Sequence, residues 1–412
     1  MLILGAGPAG LACGIAAATR GERIVVLEKN DRPGIKLRLS GSGQCNLTHS
    51  GTIDDFLNRY GNAKKSRFVK PALFAFSNTD TVRFFEQHGV PMFEREDGKV
   101  FPRSLQSGDV LHALTETLKA NNGDLRTSVA IHTVRRTDDG FCVETDQGTF
   151  SSERLVIATG GTSYPKTGST GDGYRFAKQL GHRIVPPRPA LTPVIVERYS
   201  FAEAAGISFE NVPITVHRNG KKIRQGHGDV LLTHRGLSGP GILDLSRFLE
   251  PQDTLCLPIC KNSIELKTLL KTLLNGKRLL KNALTPLGIP DRLLLLLLAK
   301  LGISSEASAA EIDRNTRQQL EQALSGFAFV VGQLGNFDEA MVTSGGVALE
   351  EVNRQTMESR IVPGLFFCGE VLDVDGDTGG YNIQFAFSSG FLAGVSSANR
   401  SQISTDSSKE MP

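Results

Sequence analysis

A glycine cluster near the start of the chain, LILGAGPAGLACG at residues 2–14, constrains the fold more than any other feature. Gly5, Gly7 and Gly10 follow a short apolar run and precede an alanine-rich stretch, which is the strand, turn and helix order of a dinucleotide-binding βαβ unit. There the first glycine allows the tight turn, the second lets a pyrophosphate approach the backbone, and the third lets helix and strand pack closely. Glu28 ends the next apolar run, where it would accept hydrogen bonds from ribose hydroxyls. We therefore predict a dinucleotide site at this turn.

The remaining patterns predict one α/β domain built from both ends of the chain and interrupted by an insertion. Strand-like and helix-like patterns alternate as far as residue 160, which favours a parallel sheet. Three prolines within residues 186–189 mark a crossing into short β-like runs, which are followed by helices rich in leucine and lysine. The predicted bounds are a first domain segment at 1–189, a β-rich subdomain at 190–260, a helical subdomain at 261–335, a second domain segment at 336–400 and a flexible tail at 401–412.

Two local features refine these bounds. The leucine run at residues 293–298 predicts a helix that is apolar on all sides and buried within the insertion. Because the first strand begins almost at Met1, we expect the natural start to lie a few residues upstream.

Composition narrows the expected partners. The 46 Lys and Arg residues nearly balance the 43 Asp and Glu residues, so the net charge of +3 does not predict nucleic acid as a partner. The six cysteines lack the paired CxxC spacing of a zinc site, so we expect no metal and the reduced thiols of a cytoplasmic protein. No apolar run reaches the roughly 20 residues that span a bilayer, so no membrane association is expected. A small molecule is the expected substrate.

Two later motifs favour FAD over NAD as the dinucleotide. RLVIATGG at 154–161 and PGLFFCGEVLDV at 363–374 each predict a strand that ends in glycine, and the second continues into acids. The following GGYNIQ opens a small-residue helix, whose N-terminus could stabilise negative charge on a reduced flavin. FAD fits the first glycine turn, the two later strands and this helix, whereas NAD fits only the first glycine turn. A second strand–GxGxxG–helix unit is absent from the sequence, so NAD(P)H would act only as a transient reductant.

These motifs together resemble the BaiN/YhiN-type flavoproteins, also described as aminoacetone-oxidase-like NAD(P)/FAD-dependent enzymes. The resemblance is carried, in family order, by GAGPAG, LSGSGQCNLT, GKVFPRS, IATGGTSYPKTGSTGDGY, THRGLSGP, VTSGGV and GEVLDVDGDTGGYNIQFAFSSG. It implies a Rossmann-like FAD-binding domain of the glutathione-reductase type, interrupted by an inserted domain with a β-barrel-like part and a helical part. Two arginines common in the family are replaced by Ile35 and Gln44, which puts the family's affinity or specificity in doubt here.

Motif and resemblance together give the candidate site residues. The predicted FAD contacts are Gly5, Gly7, Pro8, Ala9, Gly10, Glu28, Lys29, Lys36, Ser40, Gly41, Gly43, Asn46, Ile131, Thr159, Gly160, Gly161, Gly369, Glu370, Asp373, Gly380, Tyr381, Asn382, Ile383 and Gln384. Lys36 would serve the phosphate. The candidate catalytic residues are His234, Arg235, Thr343 and Tyr381, with His234 and Arg235 expected beside a helix N-terminus. Cys45 lacks a CxxC partner, so we expect it to be a packing residue.

The predicted function is that of an FAD-dependent oxidoreductase that meets a small organic substrate at the flavin face, at the seam between the FAD domain and the insertion. The resemblance implies either amine oxidation or reduction of a conjugated C=C bond. Two alternatives stay open at this point: a flavoprotein that docks a macromolecule, as in tRNA modification, and a non-catalytic FAD carrier.

Overall fold

The computed structural model describes residues 1–260, 266, 268–270 and 278–403, and the chain divides into two compact units. The first unit comprises Met1–Pro189 and the chain from Ala340 onward, and the second comprises Ala190–Glu339. The second unit extends to Glu339, which forms an ion pair with Arg235 of the same unit. Residues 404–412 of the predicted tail, and 261–265, 267 and 271–277 of the predicted helical subdomain, lie outside the described residues.

The first segment of the first unit alternates strands and helices. Its strands are β1 (Leu2–Leu4), β2 (Val25–Leu27), β3 (Thr48–His49), β4 (Met92–Glu94), β5 (Lys99–Pro102), β6 (Asp124–Arg126), β7 (Ile131–Thr137), β8 (Gly140–Thr145), β9 (Gly148–Ser152), β10 (Leu155–Ile157) and β11 (Ile184–Ala190). Its helices are α1 (Pro8–Ala18), α2 (Ile35–Leu39), α3 (Ile53–Leu57), α4 (Ala63–Ala75), α5 (Asn78–Gln87), α6 (Ser107–Ala120) and α7 (Asp172–Gln179). Thr52 and Ser77 begin α3 and α5 with capping boxes, which satisfy the free N–H groups of the first turns.

The second unit contains a closed barrel and a group of helices. The barrel strands are β12 (Val194–Val196), β13 (Ser208–Arg218), β14 (Lys221–Leu232), β15 (Gly236–Ser238), β16 (Thr254–Leu257) and β17 (Phe327–Leu334), in the order β12-β15-β14-β13-β16-β17. The described helices are α8 (Pro240–Ser246), α9 (Leu280–Leu284), α10 (Asp291–Lys300) and α11 (Arg314–Gly326). The leucine run lies in α10, but it is not buried on all sides: Leu295 is 42% exposed. The run forms a helix within the insertion as predicted, but its burial on all sides was wrong, because Leu293, Leu294, Leu297 and Leu298 already fill the one face that meets the core.

The last segment returns to the first unit and completes its central sheet. It contains β18 (Val342–Val347), β19 (Leu365–Phe367) and α12 (Tyr381–Ile403). The central sheet has the order β19-β10-β1-β2-β6, and all its strands are parallel. Every residue of β1, β10 and β19 is buried, as expected for a parallel sheet covered on both faces. The prediction of a Rossmann-like α/β fold is confirmed.

Small residues allow α12 to pack directly on α1. A Cβ added to Gly390 would lie 2.2 Å from the Ala9 carbonyl oxygen, and one added to Gly394 would lie 2.4 Å from the Cys13 carbonyl oxygen. Gly369, before α12, approaches the same helix, since its Cβ would lie 2.7 Å from the Ala9 Cβ. These contacts join the two ends of the chain around the first glycine turn.

None of the helices in the part of the chain that the structure describes combines the length and the apolar character needed to cross a membrane. Within the same residues, no group of three or more His, Cys, Asp or Glu side chains is arranged to hold a metal ion.

Candidate functional site

The glycine turn between β1 and α1 leaves a space that a side chain would fill. A Cβ on Gly10 would lie 2.0 Å from the Gly5 carbonyl oxygen, and one on Gly5 would lie 2.6 Å from that of Ala158, so neither position accepts a side chain. Among the described residues, no atom would lie within 4 Å of a Cβ on Gly7. Gly7 caps α1 through its backbone, and Pro8 follows it. The first-turn N–H groups of α1 thus lie beside open space, which suits the pyrophosphate of FAD.

Glu28, at the end of β2, is held beside this turn by three donors. The Ala6 N–H donates to Oε2 at 2.9 Å, while the backbone and side-chain nitrogens of Asn30 donate to Oε1 at 3.0 and 2.7 Å. The residue is 8% exposed. Oε2 can accept a further hydrogen bond, because a carboxylate offers about four acceptor sites and three are used, so this placement agrees with the predicted ribose acceptor.

The segment that leads into β7 lies alongside Glu28. The Val129 N–H donates to the Glu28 carbonyl oxygen at 2.9 Å, and the Ser128 N–H donates to the Asn30 carbonyl oxygen at 2.8 Å. Ile131, the first residue of β7, follows directly and is half-buried. Its contact with the adenine end of the cofactor stays a prediction.

Lys29 is engaged by protein groups. Its Nζ lies 2.6 Å from Thr170 Oγ1 and 2.6 Å from Asp172 Oδ2, and about a third of each ionised side chain is exposed. Asp172 begins α7, so the ion pair ties the loop after β10 to the end of β2. Lys29 therefore positions this loop, and its contact with the cofactor stays a prediction.

The Thr159-Gly160-Gly161 turn follows β10. Thr159 Oγ1 is buried with no hydrogen-bond partner among the described residues, and it points at α7, where a Cβ on Gly173 would lie 2.1 Å from it. Thr159 could thus reach a cofactor only through its backbone. Gly160 adopts a left-handed φ of 74°, and a Cβ on Gly161 would lie 2.4 Å from Thr343 Oγ1. The turn is therefore closely packed against β18.

A network around Glu370 joins three of the motifs to Lys36. Lys36 Nζ lies 2.7 Å from Glu370 Oε2, and Ser163 Oγ lies 3.0 Å from Glu370 Oε1. The Thr343 N–H donates to Glu370 Oε1 at 2.8 Å. Thr343 Oγ1 also accepts from the N–H groups of Thr162 and Ser163 at 2.9 and 3.1 Å. Lys36, predicted to serve the phosphate, is thus paired with a carboxylate.

Thr343 is fully buried and uses its hydroxyl within this network. Through these bonds Thr343 positions the loop after β10 and Glu370, and its role as a catalytic candidate stays a prediction. Sequence reasoning missed Ser163, which connects Lys36 to Thr343, because serine in a loop carries no distinguishing signal.

The Ser40–Gly43 turn after α2 has an unusual backbone. Gly41 and Gly43 have φ values of 56° and 88°, and Cys45, at 61°, is one of the non-glycine residues in the left-handed region. Ser40 holds the turn, since its hydroxyl donates to the Leu37 carbonyl oxygen at 2.7 Å and its carbonyl accepts from the Cys45 N–H at 2.9 Å. Burial raises the pKa of the Cys45 thiol to about 11. A protonated, buried thiol agrees with a packing role.

Asn46 connects this turn to the C-terminal motif. With its amide oriented to satisfy its neighbours, its nitrogen donates to the Thr48 carbonyl oxygen at 2.9 Å and its oxygen accepts from the Gly380 N–H at 3.2 Å. Gly380 must be glycine, since a Cβ there would lie 2.6 Å from the Thr48 carbonyl carbon. The second and last motifs thus meet at the start of α12.

Asp373 is held by a lysine that sequence reasoning missed. Lys65 Nζ, on α4, lies 3.1 Å from Asp373 Oδ1 and also bonds to Asp375. The Gly345 N–H donates to Asp373 at 3.1 Å. The Lys65 side chain is 12% exposed, although nothing in the sequence distinguishes it from Lys64.

An aromatic stack lies at the start of α12. The Tyr381 ring stacks on His49 with 5.2 Å between centroids and 17° between planes, and it meets Phe56 edge-on at 4.9 Å. Tyr381 is 4% exposed. His49 Nδ1 lies 2.8 Å from the Ser50 carbonyl oxygen, so Nδ1 must carry the proton and Nε2 is the nitrogen that can exchange one. His49 is a second residue that sequence reasoning missed.

The following residues of α12 have structural roles. Asn382 accepts from the Gly376 N–H at 2.8 Å and donates to the Gly376 carbonyl oxygen at 3.0 Å, which closes the preceding loop. Gln384 is fully buried, and its amide bonds with Thr81 Oγ1 at 2.9 Å and Ser388 Oγ at 3.0 Å. Gln384 thus uses its amide within the protein, and its contact with the cofactor stays a prediction. Ile383 is partly buried against the core of the first unit.

His234 and Arg235 belong to the second unit. They lie in the turn between β14 and β15, where the Thr233 N–H donates to the Gly236 carbonyl oxygen at 2.8 Å. Both are exposed, and Arg235 forms an ion pair with Glu339 at 2.5 Å. His234 and Arg235 do not directly precede the N-terminus of α8, because GLS pairs as β15 and α8 begins only after it.

Comparison with known proteins places this architecture in a family. The chain matches the HI0933-like protein Rossmann domain over residues 1–396. It is 32% identical over 396 residues to the ribosomal RNA dihydrouridine synthase of Escherichia coli strain K12, covering 94% of this chain and 95% of that protein. It is 30% identical over 411 residues to the 3-dehydro-bile acid delta(4,6)-reductase of Clostridium scindens, covering 97% and 98%.

A solved structure shares the fold. The 3-ketosteroid-delta4-(5alpha)-dehydrogenase from Rhodococcus jostii RHA1 has a TM-score of 0.52 at 14% identity, with 96% of each chain covered. At that identity the likeness concerns the fold alone. The family match over nearly the whole length confirms the resemblance carried by the motifs. The chain therefore belongs to the HI0933-like family of flavin oxidoreductases, with a Rossmann-like FAD-binding domain.

Proposed function

We propose that this chain is an FAD-dependent reductase of a C=C bond conjugated with a carbonyl group. The observation that carries the proposal is the shared chemistry of two relatives with different substrates. Conversion of uridine to dihydrouridine saturates a C=C bond next to a ring carbonyl, and a delta(4,6)-reductase of a 3-dehydro-bile acid saturates C=C bonds conjugated with a ketone. We therefore favour reduction over amine oxidation for this chain.

The residues of the first unit support the cofactor part of the proposal. The open space at Gly7 beside the α1 N-terminus would hold the pyrophosphate, and Glu28 would bind the ribose. When bound, FAD supplies the hydride that such a reduction requires. NAD(P)H is proposed as the transient reductant.

His49 is our candidate for the proton that must reach the carbon next to the carbonyl. Its ring lies on Tyr381 at the start of α12, where the sequence motif predicts the flavin ring. Because Nδ1 donates to the Ser50 carbonyl, the ring is held in place and Nε2 is the nitrogen left for contact with a substrate. We expect His49→Phe to keep the stack and the bound FAD while it slows substrate reduction about 100-fold or more.

One anaerobic experiment distinguishes whether the protein is a reductase, an oxidase or a protein that only carries FAD. The FAD-loaded protein is reduced anaerobically with NADPH and mixed by stopped flow with a uridine-containing RNA, a 3-oxo-4-ene bile acid, its saturated analogue or oxygen. Reoxidation by a conjugated substrate but not by its saturated analogue supports the proposal. Bleaching of oxidised FAD by an amine, with reoxidation only by oxygen, contradicts it. A flavin unresponsive to every reagent indicates a carrier. Wild-type rates for His49→Phe would remove His49 from the reaction.

A further inference from the structure

The β13–β14 hairpin of the second unit concentrates positive charge that the whole-chain balance conceals. Residues 218–224, RNGKKIR, contain four cationic side chains and no acidic one. Residues 221–225 are all exposed, although they belong to a strand. The expectation that nucleic acid is not a partner was based on the net charge of +3, which averages over such a segment.

Only one of these four cations is neutralised by carboxylates of the described residues. Arg218 pairs with Asp253 at 2.8 Å and Glu250 at 2.9 Å. Lys222 Nζ contacts the neutral amide oxygen of Gln225 at 2.6 Å. Among the residues that the structure describes, Lys221, Lys222 and Arg224 have no acidic side chain within ion-pair distance. A solvated surface usually intersperses both signs of charge, so this patch favours an anionic partner.

Packing on an aromatic ring holds Arg224 in place. Its guanidinium carbon lies 3.5 Å from the centre of the Phe248 ring, and that of Arg247 lies 5.2 Å from the same ring. Burial and the charge of Arg247 lower the pKa of Arg224. The ring thus holds two guanidinium groups near each other, and the planar donors of guanidinium groups suit the oxygens of a phosphate.

The β13–β14 hairpin also packs against helix α8. A Cβ on Gly228 would lie 2.7 Å from the Gly241 Cα, so β14 and α8 pack backbone against backbone. β13 pairs with β14 along its length, from Ser208–Leu231 to Arg218–Lys221. The cations are thus carried by an ordered strand, which lowers the entropy lost when they bind a ligand.

We propose that the exposed half of this hairpin, Lys221, Lys222 and Arg224 with Arg247, binds the phosphate backbone of an RNA whose pyrimidine base is the substrate. Successive cations along a strand match a polyanion, whereas a steroid-type acid offers a single carboxylate. The inference rests on the proposed C=C reduction, since uracil contains such a bond conjugated with a carbonyl. It selects RNA over a steroid-type acid as the substrate class.

The test compares two variants with the same change in charge. The hairpin variant is Lys221→Gln/Lys222→Gln/Arg224→Gln. The control is Arg198→Gln/Lys300→Gln/Arg314→Gln, which removes three exposed cations elsewhere in the second unit. Binding of a short fluorescein-labelled RNA hairpin with uridines in its loop is measured by anisotropy over a range of salt concentrations, with FAD-loaded protein. FAD content and thermal melting check that both variants fold.

The hairpin variant should bind the RNA at least about tenfold more weakly at physiological salt, and its slope of log K against log salt should fall by about 2, because each single-strand phosphate contact contributes about 0.7. In the control variant, the loss of RNA affinity and the change in salt slope should each be less than half as large. Equal losses in both variants, or wild-type binding by the hairpin variant, would overturn the inference. Wild-type protein that reduces a bile-acid enone but binds no RNA would refute the inference and leave the proposed reductase intact.

Discussion

The glycine turn offers a prediction in which stability and cofactor binding move in opposite directions. Gly7 has φ −79°, and no atom of the described residues would lie within 4 Å of a Cβ added there, so Gly7→Asp requires no rearrangement of the protein. Aspartate is also a better helix N-cap than most residues, so the stability of the apoprotein should be equal or higher. The new carboxylate would occupy the space that we assign to the pyrophosphate. At about 4 Å and an effective dielectric constant near 20, the repulsion is roughly 4 kcal/mol.

That energy corresponds to about a thousandfold increase in the dissociation constant of FAD. The assay is titration of apoprotein with FAD, followed by flavin fluorescence, together with urea unfolding of the apoprotein. Gly10→Ala is the matched control, because a Cβ there would lie 2.0 Å from the Gly5 carbonyl oxygen and should destabilise the fold itself. If Gly7→Asp keeps wild-type FAD affinity, the pyrophosphate does not lie at this turn. If Gly7→Asp unfolds like Gly10→Ala, the open space at Gly7 is refuted.

Three further predictions concern the elements around the turn. Gly390→Val should lower the free energy of unfolding by roughly 1–3 kcal/mol, because its side chain meets the Ala9 carbonyl of α1; unchanged urea unfolding would show that the helices can separate freely. Glu370→Gln should lower the free energy of unfolding by about 1–2 kcal/mol, less than the loss of a fully buried ion pair, because the side chains of Lys36 and Glu370 are 25% and 20% exposed. Adding Lys36→Met should recover part of that loss, and additive effects of the two substitutions would contradict a coupled pair. Cys45 should react with iodoacetamide far more slowly in folded than in unfolded protein at neutral pH, and equal alkylation rates would refute its burial. Its folded pKa of about 11 lies above the ordinary value of a thiol. The contribution of the protonated thiol to stability is therefore present below the ordinary pKa and is lost as the pH rises towards 11.

The chain-end motifs were predictable because they depend on local constraints. Gly5 and Gly10 have no room for a side chain, and the strands around them are short apolar runs buried on both faces, so the pattern itself indicates the fold. Strand β6 was harder to predict, because Asp124–Arg126 at the sheet edge is polar and lacks the apolar signal of β1 and β10.

Side-chain roles within the motifs were less predictable. Gln384 and Thr343 lie inside family motifs, yet both are fully buried and use their polar groups within the protein. Lys65 and His49 lie far from Asp373 and Tyr381 in the sequence and approach them only in the folded unit. Hydrogen-bond partners of this kind depend on long-range packing, which no local spacing encodes.

The sequence by itself determined the βαβ turn, the interruption of the domain near Pro189 and the family, because each is expressed in residues that are close neighbours along the chain. Only the tertiary structure decided that Lys36 pairs with Glu370 and that Arg224 packs on the ring of Phe248. The physical reason is the same in both cases: the charge state and exposure of a side chain depend on atoms brought next to it by the fold, and those atoms come from distant parts of the sequence.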